Sequence, residues 1–96
     1  MSRWVTFYKH IMMNGVSNLA IHKNKEEATG RFKCLCKDYF HVYGNDVDNA
    51  KLPATFGLGF RYVCGMSYPS FKKKMMAEYN LSEDEFDEKI KVIKNA

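Results

Sequence analysis

The residues best suited to chemistry in this sequence are aromatic and hydrogen-bonding side chains that alternate near its start. Trp4, Tyr8 and His10 stand at even-numbered positions of this segment, whereas Val5 and Phe7 stand at odd-numbered positions. Successive side chains of a strand point to opposite faces of a sheet. The pattern therefore predicts a strand with one apolar face and one face that can both stack flat rings and hydrogen-bond to them.

Two further side chains would extend this aromatic face into a nucleic-acid-binding surface. His22 falls in the second predicted strand, and Arg61 falls in the third, beside Gly57 and Gly59. Aromatic rings stack on bases at about 1–3 kcal/mol per base, arginine binds phosphate, and glycine lets a ligand approach the backbone. We therefore predict a face that binds RNA or single strands, as several sheet-based modules do.

Basic side chains on the predicted helices would supply the phosphate contacts. They are Lys23, Lys25, Lys33 and Lys37 near or on the first helix, and Lys72, Lys73 and Lys74 at the start of a later one. The net charge is +4, with seven Lys/Arg and three Asp/Glu up to Gly44 and eight of each from Asn45 onward. This excess draws a protein toward anions, although the same charges also fit an ordinary solvated surface.

Catalysis and metal binding have only weak candidates. His10 and His22 would be neighbours on adjacent strands, where they could act as acid and base on a phosphodiester. No carboxylate is obviously placed to orient either ring, so we expect a protein that is not an enzyme. Cys34 and Cys36 would diverge by about 200° on a helix and could not chelate one ion together. No metal and no other cofactor is predicted.

The cysteine count and the hydropathy pattern bear on the compartment. The three cysteines are odd in number and lack the spacing of a disulfide framework. This indicates free thiols in a reducing environment. No signal peptide and no apolar run of the roughly 20 residues that a membrane span needs is visible. We expect a cytoplasmic protein with no membrane partner. Its 96 residues predict one domain, 1–96.

The predicted strands and helices that carry these residues indicate an α+β fold. We expect a small three-stranded antiparallel sheet with helices packed on one face, in the order β-β-α-β-α-α. The strands are predicted at 3–12, 16–22 and 54–64, and the polar segment 45–53 is predicted to be a loop. An Asn14-Gly15 dipeptide favours a tight turn between the first two strands.

Helix starts are the strongest local signals. Asn24 stands three residues before Glu27, and Ser82 stands three residues before Glu85. Both spacings resemble the capping box, in which two side chains satisfy free backbone N–H groups at a helix start. Gly44 is the predicted end of the first helix.

The length of the turn between the first two strands decides which face of the sheet is open. A two-residue turn would place Trp4 and Tyr8 in the core. A three-residue turn would place Val5, Phe7 and Ile11 there and leave the aromatic face open, since a slip of one residue moves every side chain to the other side. We favour the second register because it separates apolar from polar side chains more cleanly.

Together these patterns predict a small non-catalytic binding module, with RNA a better ligand than duplex DNA. The alternative is a protein-binding inhibitor or regulatory module, of the kind that phages and mobile elements encode. Its motivation is the frequency of methionine and aromatic residues, 6 and 14 in number, beyond what a small core needs. The sheet face could also serve as a homodimer contact.

Overall fold

Four antiparallel strands form the centre of the molecule in this computed structural model, which describes residues 3–12, 15–42 and 44–94. The strands are β1 (Trp4–His10), β2 (Ser17–His22), β3 (Ala54–Leu58) and β4 (Arg61–Ser67), in the order β2-β1-β4-β3. The helices are α1 (Lys25–Phe40), α2 (Asn45–Asp48), α3 (Tyr68–Glu78) and α4 (Glu83–Lys94). An α+β class with an antiparallel sheet is confirmed, but the elements run β-β-α-α-β-β-α-α.

The predicted third strand is in fact a hairpin. The chain reverses after Leu58, which pairs with Arg61 across the two-residue turn Gly59-Phe60. Gly59 has a φ of +63°, and glycine at the first central position is what a type II′ hairpin turn requires. The prediction of three strands was therefore wrong, because a glycine within an apparent strand allowed the chain to fold back.

The pairing of β1 with β2 confirms the side of the sheet to which the favoured register assigns Val5. Val5 pairs with Ile21, and both belong to the apolar side of the sheet. The pairing shifts by one residue between Thr6 and Tyr8, close to Asn18, whose φ is +53°. This irregularity is a β-bulge. Met13 and Asn14 of the predicted turn lie outside the described residues.

Helices cover both faces of the sheet, so the expectation of helices on one face was wrong. One cluster of buried side chains lies between α1, α2 and the sheet: Ala28, Phe32, Leu35, Cys36, Phe40, Val47, Leu52 and Val63. The other lies between the sheet and α3 with α4: Val5, Phe7, Cys64, Phe71, Met75, Phe86 and Ile90. Each cluster removes apolar surface from water on its own side.

Local capping explains where the helices begin. Asn24 Oδ1 accepts the N–H of Glu27 at 2.8 Å. The Ser82–Glu85 pair forms a reciprocal capping box, with Ser82 N donating to Glu85 Oε1 at 3.1 Å and Glu85 N donating to Ser82 Oγ at 3.2 Å. The Glu85 carboxylate accepts a hydrogen bond from the backbone N–H of Ser82, and this hydrogen bond lowers the pKa of Glu85.

Two local predictions were wrong. Helix α1 ends at Phe40, with His41 in the left-handed region at φ +55°, and not at Gly44. The segment predicted as a loop contains the short helix α2, whose Val47 is buried against α1. Within the described ranges, no helix is both long enough and apolar enough to cross a membrane.

Candidate interaction surfaces

The predicted aromatic face is covered by α1 and is not open. Trp4 and Tyr8 are half-buried and pack against the α1 cluster. The ring of Tyr8 stacks on that of Tyr39, with centroids 4.1 Å apart and planes 17° apart, and burial raises the pKa of Tyr8. Lys25 Nζ lies 5.3 Å from the centroid of Trp4. Helix α1 therefore occupies the side of the sheet on which a base was predicted to stack.

The two histidines do not form a catalytic pair. His22 pairs with Trp4 at one end of β1, whereas His10 pairs with Arg61 at the other end. The two ends are six residue steps apart along β1, or about 20 Å. The predicted contact between His10 and His22 was wrong because β1 and β2 are antiparallel and each ends in its histidine, so the two rings lie at opposite ends of the pair.

Each histidine has a local partner instead. His22 Nε2 lies 2.8 Å from Oγ1 of the buried Thr6, and burial lowers the pKa of His22. His10 Nδ1 accepts the backbone N–H of Met12 at 3.1 Å. These contacts give the rings structural roles at the two ends of the sheet.

Arg61 is exposed but its guanidinium rests on α1. It lies 4.7 Å from the ring centroid of Tyr39 and 5.7 Å from that of Phe40. A cation over a ring face is attracted by the ring quadrupole, by about 0.5–1 kcal/mol at an exposed site. Arg61 is therefore held at the corner where β4 starts.

Three of the predicted phosphate contacts are engaged in ion pairs. Lys23 lies 3.7 Å from Glu27, and Lys37 lies 2.8 Å from Asp48. Lys72 bridges α3 to α4, at 2.9 Å from Glu83 and 3.2 Å from Asp87. The hydrogen bond to Glu83 is the main cause that raises the pKa of Lys72. These ammonium groups serve contacts within the fold.

Lys73 and Lys74 are exposed on α3. Three other lysines border a shallow concavity beside α1. Lys25, Lys33 and Lys51 line this concavity around Gly30, together with Glu26. Lys51 was not among the predicted site residues, because it lies in the segment between α2 and β3 and no pattern connected it to α1. We refer to these three lysines as the lysine concavity.

The most conspicuous surface is a group of apolar side chains at one end of the sheet. Ile11, Met12, Leu58 and Phe60 are 57%, 76%, 50% and 60% exposed, and they are the exposed large apolar side chains of the described residues. The N–H of Ile11 donates to the carbonyl oxygen of Phe60 at 2.8 Å, so the end of β1 and the β3–β4 turn are joined. We call these four residues the hairpin-tip patch.

Two predictions were wrong here and hid the hairpin-tip patch: Ile11 does not lie in the core, and the single strand predicted at 54–64, which contains Leu58 and Phe60, is a hairpin. The signal that could have found it is Gly59. A turn at this glycine removes Phe60 from the sheet face and exposes it at the tip of a hairpin.

Metal ligands are not grouped in the described parts of the chain: no three His, Cys, Asp or Glu side chains there are close enough to hold an ion. Cys34 is exposed, whereas Cys36 and Cys64 are buried, and all three are free thiols. Burial raises the pKa of Cys36 to about 11 and also raises that of Cys64.

No known protein family matches the chain, and no curated protein and no solved structure is significantly similar to it.

Proposed function

We propose that this protein is a non-catalytic binding module that docks on a protein partner through the hairpin-tip patch. The observation that carries the proposal is the exposure of Ile11, Met12, Leu58 and Phe60 at one end of the sheet, where the backbone of Ile11 is hydrogen-bonded to that of Phe60. Exposed apolar residues scattered singly are ordinary, but several of them gathered at one end of a sheet are typical of an interaction site. Fully burying one such side chain is worth about 1.5–3 kcal/mol, so a partner that covers all four gains substantially.

The residue types in and around the patch support a protein partner. Phenylalanine, methionine and arginine are enriched in the cores of protein interfaces. The patch contains Phe60 and Met12, and Arg61 follows Phe60 directly. Large anchors such as Phe60 contribute most when a partner provides a pocket that excludes water.

The charge at the border of the patch indicates the chemistry of the partner. Arg61, which follows Phe60 directly, is positively charged and exposed at the base of the turn. A complementary surface would therefore be an apolar socket with carboxylates at its rim, because opposite charges across an interface favour correct encounter.

A photo-crosslinking experiment tests the proposal. A benzoylphenylalanine at position 60 should form a discrete protein adduct in lysate of the native host after nuclease treatment. The control is the same group at Lys23, which is exposed and follows β2 at the opposite end of the sheet. Equal labelling from both positions, or no protein adduct at position 60, would overturn the proposal.

Polar substitution of the patch provides the second arm. Leu58→Ser and Phe60→Ser should each remove the adduct formed by a crosslinker at Met12, because each removes apolar area from the contact. The control is Thr29→Ser, a half-buried residue of α1 away from the hairpin, which should leave the adduct unchanged.

A second candidate function is binding of single-stranded nucleic acid, and the lysine concavity is the observation that favours it. Lys25, Lys33 and Lys51 face one depression, and no ion pair of these three lies among the described salt bridges. Three phosphate contacts to a single strand predict a slope of log affinity against log salt of about −2.

Fluorescence anisotropy with a labelled 20-nucleotide single-stranded RNA at 50 and 200 mM salt measures this slope. Replacing all three lysines of the concavity by glutamine should abolish binding. Replacing Lys73, Lys74 and Lys91 by glutamine removes the same charge elsewhere and should weaken binding only slightly. Equal losses in the two triple variants would exclude a defined site at the concavity.

A further inference from the structure

We propose that the partner contributes an extended segment that adds to β3 as a fifth strand, with apolar side chains in its middle and carboxylates at its ends. This inference rests on the proposed protein-binding function and specifies the chemistry of the partner at the hairpin-tip patch. Addition of a strand to a sheet edge is a recurring mode of peptide recognition, in which main-chain hydrogen bonds supply affinity.

The first observation is that β3 is an edge strand with a free side. It pairs with β4 and with no other strand of the sheet. Thr55 and Gly57 are exposed, and no backbone hydrogen bond to either of them is found outside the β3–β4 ladder within the described ranges.

The pairing register identifies which backbone groups face outward. Leu58 and Arg61 close a two-residue turn, and the closing pair of such a hairpin exchanges hydrogen bonds. Hydrogen-bonded and non-hydrogen-bonded pairs alternate along an antiparallel ladder. The N–H and C=O groups of Phe56 therefore point toward β4, whereas those of Thr55 and Gly57 point away from the sheet.

The second observation is that β3 lacks the features by which proteins protect an edge. Such features are charged side chains, prolines and bulges. Residues Ala54–Leu58 contain no charge and no proline, and their pairing with β4 is regular; the nearest proline, Pro53, lies just before the strand. The other edge strand, β2, carries the bulge near Asn18. One edge of the sheet is thus protected and the other is open.

The side chains next to the open edge suit an apolar segment. Phe56 and Leu58 share one face of β3, half-buried and exposed respectively, and Leu58 also belongs to the hairpin-tip patch. An added strand would place alternate side chains beside these two residues. The edge and the patch therefore form one continuous surface for a single partner.

Positive charge at both ends of β3 favours a separate partner over a second copy of this chain. Lys51 lies three residues before the strand and Arg61 lies opposite its last residue, and both are exposed. Two copies paired through β3 would bring positive ends together in either the parallel or the antiparallel orientation. A segment with carboxylates at both ends would be attracted in either orientation.

The probe is a displayed library of random 12-residue peptides selected on the whole protein. We expect selected peptides to have β-branched or aromatic residues in the middle and Asp or Glu at the ends. Hydrogen exchange should show that the amides of Thr55 and Gly57 exchange rapidly in the free protein and become protected at least tenfold with peptide. Protection of the same amides in the isolated protein, together with a dimer in sedimentation, would overturn the proposal in favour of a second copy.

A matched pair of variants isolates the outward N–H group. Thr55→Pro and Thr55→Val both remove the hydroxyl that lies 3.8 Å from Cys64 Sγ, but only Thr55→Pro removes the N–H. Thr55→Pro should weaken a selected peptide at least tenfold relative to Thr55→Val. Methylation of alternate backbone nitrogens in a selected peptide should weaken its binding to the unmodified protein by the same factor. This second measurement does not depend on the folding of the proline variant.

The outcomes separate the two proposals. Equal binding by Thr55→Pro and Thr55→Val, or unchanged affinity of the methylated peptide, would overturn strand addition. Loss of the lysate adduct in Phe60→Ser would still support protein binding through the patch. Failure to select any peptide overturns the extended segment, and absence of the adduct at position 60 overturns the proposed function as well.

Discussion

The ring of Tyr62 lies directly on Gly57 across the β3–β4 hairpin. The two residues are cross-strand partners, and a Cβ at position 57 would lie 2.4 Å from Cδ1 and 2.5 Å from Cε1 of that ring. An aromatic ring that covers a glycine in the neighbouring strand compensates for the missing side chain. This contact stabilises the hairpin that carries Leu58 and Phe60, so the hairpin-tip patch depends on it.

Replacing Gly57 with alanine should destabilise the protein by about 1–3 kcal/mol, the usual cost of forcing an extra methyl into a packed contact. The half-buried ring of Tyr62 would have to move. Urea denaturation measures the free energy of unfolding. In a Tyr62→Ala background the same substitution should cost much less, since the ring is gone; an equal cost in both backgrounds would show that the ring is not the cause.

Replacing Gly30 with alanine should have the opposite effect. Gly30 lies inside α1, is exposed, and has no atom within 4 Å of the place where its Cβ would stand. Alanine there should raise the free energy of unfolding by about 0.5–1 kcal/mol, because glycine is the poorer helix former. Gly30→Ala is also the control that shows the cost at Gly57 to be specific, and a loss of stability in this variant would contradict the prediction.

The three thiols should differ in reactivity. Cys34 is exposed and should react with Ellman's reagent at pH 8 within seconds to minutes. Cys36, with a pKa raised to about 11 by burial, has roughly one thiolate in a thousand at that pH, and Cys64 is also buried. One thiol should titrate in the native protein and three in denaturant. Cys34→Ser should abolish the fast phase, and rapid titration of a second thiol would contradict the burial of the other two.

Stability should fall as His22 becomes protonated. Burial lowers the pKa of His22 in the folded protein below its usual 6.5, so the unfolded chain binds a proton more readily. Its contribution is complete above about pH 6.5 and is lost as the pH falls through the folded-state pKa. The urea midpoint should therefore drop between pH 7.5 and 5.

His22→Gln identifies the source of this pH dependence. Glutamine keeps a polar nitrogen that can reach Thr6 Oγ1 but does not titrate. The variant should show a smaller drop of the urea midpoint over the same interval, because the carboxylates contribute equally to both proteins. An identical drop in the two proteins would show that His22 does not contribute.

Several parts of the fold could be predicted because their causes are local. The Ser82–Glu85 capping box requires only two side chains at the right spacing, and it forms as predicted. The cap of Asn24 on Glu27 forms for the same reason. The parity of β1, with Val5 and Phe7 on one face, followed from alternation alone and is confirmed.

The candidate site could not be predicted in the same way. The amino-acid sequence by itself determined which side chains of β1 share a face, where the capped helices begin and that the chain carries a basic excess. Only the tertiary structure decided that α1 covers Trp4 and Tyr8, that β3 and β4 are separate strands, and that Ile11 and Phe60 meet at an exposed tip. Alternation and capping involve neighbours in the chain, whereas the covering of a face depends on the free energy of packing elements that are distant in the sequence.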